Sequence, residues 1–336
     1  MNKISQDLNP LISIGIPTFN RPINLKDTLK KIAKYNYKNI EVIVSENDPN
    51  CKASYEICKR FESNFQINYF HQEYNRGWMG NFSFVLKKSK GKYFLWHADD
   101  DYYDENYFSI AIEDLENNPK SVSFQGKTIC IYRDKNKSRT FLQTPIKECN
   151  NFELVSEIRK IFCINYMIPA LFFQKKKYPN KFSYFIYGLH KSKHLKESWF
   201  NLLPFYTNER DLVTSLALKG KIICNDKAVY FRGINNDNTS KKITLNNSIK
   251  KILSLKIKKL SQYERYRLKR FNFLNSYNLA NEIIKNSFYK NNLALILFLF
   301  INISLRNYFL VVYELMTPTY RKIKVLKGKI FKLIKF

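Results

Sequence analysis

Glycine is scarce in this chain of 336 residues, with nine in all. A glycine-rich, lysine- or arginine-bearing phosphate loop after the first predicted strand is missing, which counts against nucleotidyl transfer. Cysteine is sparse and scattered. Cys51, Cys58, Cys130, Cys149, Cys163 and Cys224 form no CxxC pair and have no histidine-rich spacing beside them, so a zinc site is excluded. They read as reduced, mostly buried thiols of a cytosolic protein. The N-terminal MNKISQDLNP lacks the apolar core of a secretory signal. The longest apolar run, residues 293–313, is broken by Asn302, Ser304, Arg306 and Asn307. A bilayer crossing needs about 20 mostly apolar residues, so this run reads as a buried or interfacial helix. Acid is also in short supply. Asp and Glu total 28 against 57 Lys and Arg, for a net charge of +29. A polyanion or an anionic membrane surface is the partner such a balance suits, although a lysine-rich solvated surface accounts for part of the excess.

Hydrophobic residues make up 45% of the chain, enough for a packed core and against wholesale disorder. Short β-branched runs alternate with helical patterns. LISIGIP (11–17), IEVIVS (40–45), INYFH (67–71) and YFLWHA (93–98) read as strands. NLKDTLKKIAKY (24–35) places Leu25, Leu29, Ile32 and Ala33 on one helical face, with Asn24 and Asp27 in position to support its first turn. ASYEICKRFE and NFSFVLKKSK complete the helices of this half. The alternation predicts βαβ units around a mainly parallel sheet. Ligands of open α/β sheets bind beyond the carboxyl ends of the strands. Three polar clusters fall there: PTFNR after the first strand, SENDPN after the second, and the triplet Asp99, Asp100 and Asp101 after the fourth.

Residues 120–235 are mixed. SVSFQG, TICIYR, IPALFF and KIICNDKAVYFR read as strands, RDKNKSR (133–139) as a polar loop, and ERDLVTSLALKG (209–220) as a helix stopped by Gly220. From Lys241 to Arg270 there are 11 Lys and Arg and one acid, Glu264. A boundary is therefore placed at about residue 236. Residues 1–235 form one α/β domain, divided at about 118/119, and 236–336 a basic helical region. Its last stretch, 320–336, has seven Lys and Arg and no acid, with Ile323, Leu326, Ile330 and Leu333 at helical spacing. That pattern suits a helix lying on an anionic bilayer; a solvated lysine-rich helix is the alternative.

Three adjacent carboxylates repel one another unless something positive holds them. A hard divalent cation takes oxygen ligands and is often shared with substrate phosphates. In an extended segment, side chains at i and i+2 point the same way, so Asp99 and Asp101 would face one ligand. An acidic turn at the N-terminal side of the helix DENYFSIAIEDLE is the plainer alternative.

Four motifs in order, ISIGIPTFNRP, IEVIVSENDPN, YNRGWMGNFSF and KYFLWHADDDYYDENYF, resemble the nucleotide-binding half of a family 2 glycosyltransferase of the GT-A fold. The likeness covers residues 11 to about 110 well and 160–240 more loosely. It implies that Pro17, Thr18, Phe19, Asn20 and Arg21 lie along the nucleotide. It implies that Glu46, where the family commonly has Asp, accepts a hydrogen bond from the base, with Asn47 or Asp48 sharing the role. Asn75 and Gly77 would help close the site. Asp99 would contact ribose or metal, and Asp101 would ligate the metal (Mn²⁺ or Mg²⁺) through the diphosphate, with Asp100 beside them in the nucleotide-sugar site. The acceptor base would be Asp211, with Glu209 second. Arg232 either contacts the diphosphate or belongs to a flexible polar loop, and the family's usual His is missing beside it. His190 and His194 either line the acceptor site or are surface histidines.

The expected activity is inverting transfer of a sugar from a nucleotide-sugar donor, UDP-linked in the first instance, to a glycan or lipid-linked acceptor during surface polysaccharide or lipo-oligosaccharide synthesis. The expected location is peripheral, on the inner face of the cytoplasmic membrane. The competing reading is nucleic-acid binding by the basic C-terminal half, where Tyr263, Tyr266 and Phe271 lie among basic residues, but no RRM or zinc-finger pattern supports it.

Overall fold

The computed structural model describes residues 9–132, 137–141, 184–202, 209–234, 273–285, 293–301 and 303–304. The first half alternates as expected. It runs β1 (Ile12–Thr18), α1 (Pro22–Ile32), β2 (Ile40–Glu46), α2 (Ala53–Lys59), β3 (Gln66–His71), α3 (Gly77–Lys88) and β4 (Tyr93–Trp96). There follow β5 (Tyr102–Tyr103), α4 (Tyr107–Asn117), β6 (Ser121–Tyr132), β7 (Lys137–Phe141), a 3-10 turn (Phe185–Tyr187), β8 (Leu189–Lys191), α5 (Ser192–Leu202), α6 (Glu209–Ala217), β9 (Lys221–Ile234) and α7 (Phe273–Lys285). The sheet order is β3-β2-β1-β4-β8-β6-β9-β5, with β7 paired to β6. β1 to β4 are mutually parallel, β8 runs against its neighbours, and β9 lies parallel to β6.

Side-chain alternation along β1 builds two layers. Ile12, Ile14 and Ile16 pack with Leu25 and Leu29 of α1, Val42 and Val44 of β2, and Tyr107, Phe108 and Leu115 of α4. The other face joins Ile43, Val85, Leu86, Phe94, Trp96, Trp199, Leu212 and Leu216, bringing in α3, α5 and α6. The result is a sheet covered on both faces, which lets its strands read as nearly continuous apolar runs. Gly15 is required where α3 crosses β1. A Cβ there would stand 2.7 Å from the Phe94 ring and 2.8 Å from a Val85 methyl.

Several expectations are corrected in detail. α1 opens two residues before Asn24, with Pro22 in its first turn and no acid there, because proline presets the helical φ. SVSFQG and TICIYR are one strand of 12 residues, because Gly126 passes through the sheet between them. The end of the polar stretch RDKNKSR forms β7, since Lys137–Phe141 pairs antiparallel with β6. His190 is fully buried in β8, its Nδ1 2.8 Å from Ser123 Oγ, so it is not a surface histidine. His194 is half-buried in α5. IPALFF and 320–336 lie outside the described residues.

The proposed boundary also needs qualification. Leu279, Ala280, Ile283 and Ile284 of α7, with Leu295, Ile296, Leu299 and Ile303, share a core with Leu202 and Leu218. This part of the basic region therefore packs on α5 and α6. No helix among the described residues is long and apolar enough to cross a membrane.

Gly15→Ala is expected to destabilise the protein by about 1–3 kcal/mol through overpacking, read as a lower urea midpoint with an unchanged slope.

Candidate active site

The three rim clusters come together because β1, β2 and β4 end side by side. Thr18 is the register partner of Glu46, and Gly15 that of Trp96, so the chain beyond Trp96 runs past the end of β1. There it turns rather than staying extended, with Asp101 N 3.4 Å from Ala98 O. This corrects the expectation that Asp99 and Asp101 face one ligand by strand alternation. Asp99 points to β1 and α1. Thr18 Oγ1 donates to its Oδ2 at 2.8 Å, Arg21 Nη1 to its Oδ1 at 2.9 Å, and Thr28 Oγ1 to its carbonyl at 3.2 Å. Asp101 points the other way, to β9. Tyr230 OH donates to its Oδ2, and Gly233 N–H to its Oδ1 at 2.9 Å. Arg21 also reaches Asp100 Oδ2, at 3.5 Å.

Burial raises the carboxyls of Asp99 and Asp101. Asp99 is held back by Arg21 and Thr18. Asp101 is pushed up to about 7 by burial and by the Asp100 charge, against the pull of Tyr230 and Arg232. Below the turn, His97 is fully buried. Its Nδ1 lies 2.8 Å from Ala98 O and must donate, so Nε2 accepts from Tyr35 OH at 3.1 Å, and that hydroxyl accepts from Tyr103 N–H at 3.2 Å. Burial first, and then Lys31, lower the imidazole to about 4.

Glu46 is fully buried beneath the rim and already engaged. Its Oε1 accepts N–H from Asn20 at 2.9 Å and from Asp48 at 3.0 Å, and its Oε2 accepts Ser54 Oγ–H at 2.6 Å. It fastens the loop after β1 to the loop after β2, which suits the φ of 51° at Asn20. Asn47 continues the lacing. It accepts from Arg76 N–H and donates to Asn75 Oδ1, which in turn accepts from Gly77 N–H. Gly77 has φ 69°, the left-handed region, and so starts α3 at a defined place.

A cleft of about 400 Å³ opens above these contacts. Pro17, Thr18, Phe19, Arg21, Asn75, Gly77 and Asp99 of the sequence-predicted set line it, together with Asn47, Trp78, Asn81 and Phe82. Phe19 and Trp78, which line it, remain 48% and 41% exposed, so their rings are open to a flat ligand. Asp100 lines a larger neighbouring cavity of about 640 Å³ along α1, with Asp99 shared between the two. Trp78 and Asn81 were not singled out from sequence. An apolar residue directly after the glycine that starts a helix was the available signal.

The remaining predicted residues lie toward β9 and α6. Arg232 is in β9, not a loop, and its guanidinium lies over the Tyr184 ring at 4.2 Å and the Tyr187 ring at 5.8 Å. Glu209 Oε1 accepts Ile186 N–H at 2.7 Å and so anchors the 3-10 turn. Asp211 is fully buried in the first turn of α6. The Tyr187 hydroxyl is held un-ionised by burial first, and feels Asp101, Glu209 and Asp100 together. Tyr187 is therefore within electrostatic reach of both the acidic turn and Glu209 at the start of α6.

Among the described residues no three His, Cys, Asp or Glu side chains converge as a ready-made metal cage. The donor set nevertheless fits a hard cation of the kind that one or two carboxylates share with phosphate oxygens and water. The four oxygens of Asp99 and Asp101 each accept from one described donor and each has a second lone pair, while Asp100 Oδ1 accepts from no described residue.

Known proteins resemble this chain in sequence and in fold. Residues 13–175 match the model of the family described as Glycosyl transferase family 2. A glycosyltransferase of Rickettsia bellii (strain RML369-C) is 34% identical over 119 residues, 35% of this chain and 17% of the relative. The GalNAc(5)-diNAcBac-PP-undecaprenol beta-1,3-glucosyltransferase of Campylobacter jejuni is 30% identical over 93 residues, 27% of this chain and 30% of the relative. The match thus spans less than a third of these relatives' lengths. The fold resembles S. aureus TarS 1-349, solved with UDP-GlcNAc, at a TM-score of 0.51 and 15% identity, over 84% of this chain and 75% of that one.

Two outcomes are expected. Glu46→Ala leaves two backbone N–H groups and a hydroxyl without their acceptor and costs about 2–3 kcal/mol or more, measurable by urea unfolding. The buried His97 and His190, both lowered to about 4 by burial, bind protons better when unfolded, where imidazole has its ordinary 6.5. The two imidazoles therefore contribute stability that rises with pH from about 4 to 6.5 and is lost as pH falls through that window, while the raised Asp101 carboxyl acts with the opposite sign; the histidine contribution is read by unfolding Asp101→Asn, which removes that titration, at stepped pH.

Proposed function

We infer, from a chain whose residues 13–175 match the model of family 2 glycosyltransferases, that it transfers a sugar from a nucleotide-sugar donor to a glycan or lipid-linked acceptor with inversion at the anomeric carbon. The observation that carries this reading is the cleft itself. Two exposed aromatic side chains, Phe19 and Trp78, share it with Asp99, Thr18 and Arg21 at the carboxyl ends of parallel strands.

The nucleobase stacks in this cleft against Phe19 and Trp78, with the backbone from Pro17 to Arg21 along the nucleotide and Asn75 and Gly77 at its wall. Glu46 acts on the base through the loop it holds, because its carboxylate is engaged below the rim. Asp99 lies at the ribose; Asp101, turned toward β9, would hold Mn²⁺ or Mg²⁺ with Asp100 beside it, and Asp99, turned toward β1 and α1, would share the ion only through intervening water or phosphate oxygens. Such a cation, when bound, offsets the charge that develops on the departing diphosphate. Arg232, kept cationic against burial by Tyr187, Tyr230 and Asp101, is positioned to add to that offset.

As the acceptor oxygen bonds to the anomeric carbon and the bond to diphosphate breaks, the acceptor's proton passes to a carboxylate. Asp211, in the first turn of α6, is assigned that role, with Glu209 second. A UDP-linked donor is favoured by the UDP-GlcNAc held in TarS, and a lipid-linked acceptor by the undecaprenol-linked chemistry in the name of the Campylobacter relative. Surface glycan synthesis, with the protein peripheral on the inner face of the cytoplasmic membrane, follows from such an acceptor and from the net charge of +29.

A panel of nucleotide sugars assayed with Mn²⁺ or Mg²⁺ should give turnover that Asp101→Ala abolishes. Asp211→Asn should lower it about 10²–10⁴-fold while folded, and near-normal turnover would remove that assignment. Of the three tryptophans, Trp96 and Trp199 are buried, so a nucleotide that quenches the exposed fluorescence reports on Trp78. Trp78→Leu should lose the quenching and weaken nucleotide binding. Tight, salt-sensitive oligonucleotide binding without turnover would instead favour the nucleic-acid reading.

A further inference from the structure

The helix over 293–301 is apolar on every side and only half covered. Leu295, Ile296 and Leu299 are buried against α7, Leu202 and Leu218. Leu293, Leu297 and Ile301, spaced four apart and so on one stripe, are 61%, 44% and 53% exposed. Nearby Tyr277 of α7, also exposed, meets Phe300 edge-on at 5.9 Å, an amphipathic ring of the type that sits at a membrane–water boundary.

We propose that the Leu293–Leu297–Ile301 stripe is a membrane-docking face that lies in the interfacial layer of an anionic bilayer. The proposal rests on the transferase reading only in giving the docked enzyme a lipid-linked acceptor; the surface stands on its own residues. Charge selects this occupant over a second copy of the chain. The helix itself carries no charge, but the sequence on both sides is strongly basic, with 11 Lys and Arg against one acid over 241–270 and seven against none over 320–336. Two copies each carrying +29 repel, whereas anionic headgroups attract every one of those cations. Asn302, Ser304, Arg306 and Asn307 interrupt the apolar run beyond the stripe, which suits a helix lying in the plane of the interface. Apolar insertion and headgroup attraction then act together, and neither needs the other's residues.

The test uses the full chain and cosedimentation with vesicles of phosphatidylcholine alone or mixed with phosphatidylglycerol. The wild type should bind the mixed vesicles and release them in high salt. The double variant Leu297→Gln/Ile301→Gln changes only solvent-facing positions and should keep its urea midpoint while partitioning about tenfold more weakly. Leu297→Trp gives an independent readout: its emission should shift to the blue on mixed vesicles and be quenched by lipids with brominated chains. Unchanged partitioning of the double variant, or a new tryptophan that stays in water or is already shielded before lipid is added, overturns the docking face. So does an oligomer in solution that the double variant splits. Nucleotide quenching of Trp78 without vesicles separates the two ideas. Its failure alongside successful insertion removes only the transferase reading, and the reverse removes only the docking face.

Discussion

The site depends on a single constraint: a carboxylate taken out of water must find donors, and here donors come from elements other than the carboxylate's own. Asp101 is the decisive case. It leaves the turn after β4 and is held by Tyr230 OH and Gly233 N–H of β9, more than a hundred residues later in the chain. One side chain thereby binds the end of the parallel half of the sheet to its far side. Asp99 does the same toward β1 and α1, and Glu46 toward the loops after β1 and β2 and toward Ser54. At the opposite end of the strands, buried Glu41 accepts Ser13 Oγ–H at 2.5 Å and Lys90 N–H at 2.7 Å, and repeats the device. The acids in a chain poor in acid are thus spent largely on joining segments.

That lacing explains how loops can form a precise cleft. The backbone of Asn20 and Gly77 takes left-handed conformations, and both are held by hydrogen bonds fixed beneath them. The neutral His97, locked between Tyr35 and Ala98, supports the acidic turn without adding a charge next to it. Positive charge is supplied at two separate points. Arg21 enters from the nucleotide side, and Arg232 lies over tyrosine rings on the other. A turn with three carboxylates between two guanidinium groups remains net negative, which is the condition for retaining a divalent cation rather than merely neutralising itself.

What was legible in the sequence was mostly periodic. The alternation of strands and helices and the polar clusters at strand ends placed β1 to β4 and the rim correctly, because a sheet buried on both faces writes itself as β-branched runs. Long-range donors were not legible. Nothing in WHADDDYY says that Asp101 reaches Tyr230, nor that a turn breaks the i, i+2 spacing on which a shared ligand for Asp99 and Asp101 was argued. Glu46 was legible as a rim acid but not as a saturated one, since Ser54 and the backbone of Asn20 and Asp48 carry no distinctive signal. The burial of His190 was not legible, because its partner Ser123 lies on another strand.

The distribution of charge couples these observations. The rim gathers three aspartates in a row, while the net +29 is concentrated after the α/β sheet in sequence. If the cations were spread evenly, screening would leave little distinction between the cleft and the rest of the surface at physiological salt, where fields fade over about 8 Å. Segregation keeps the acidic turn answerable chiefly to its own two arginines. The shared core of Leu202 and Leu218 with Leu279, Ile283 and Leu299 then matters mechanically, because it ties the basic region to α5 and α6. α6 begins with Glu209 and Asp211, so whatever holds the C-terminal helices also positions the carboxylates that face the acceptor in the proposed reaction.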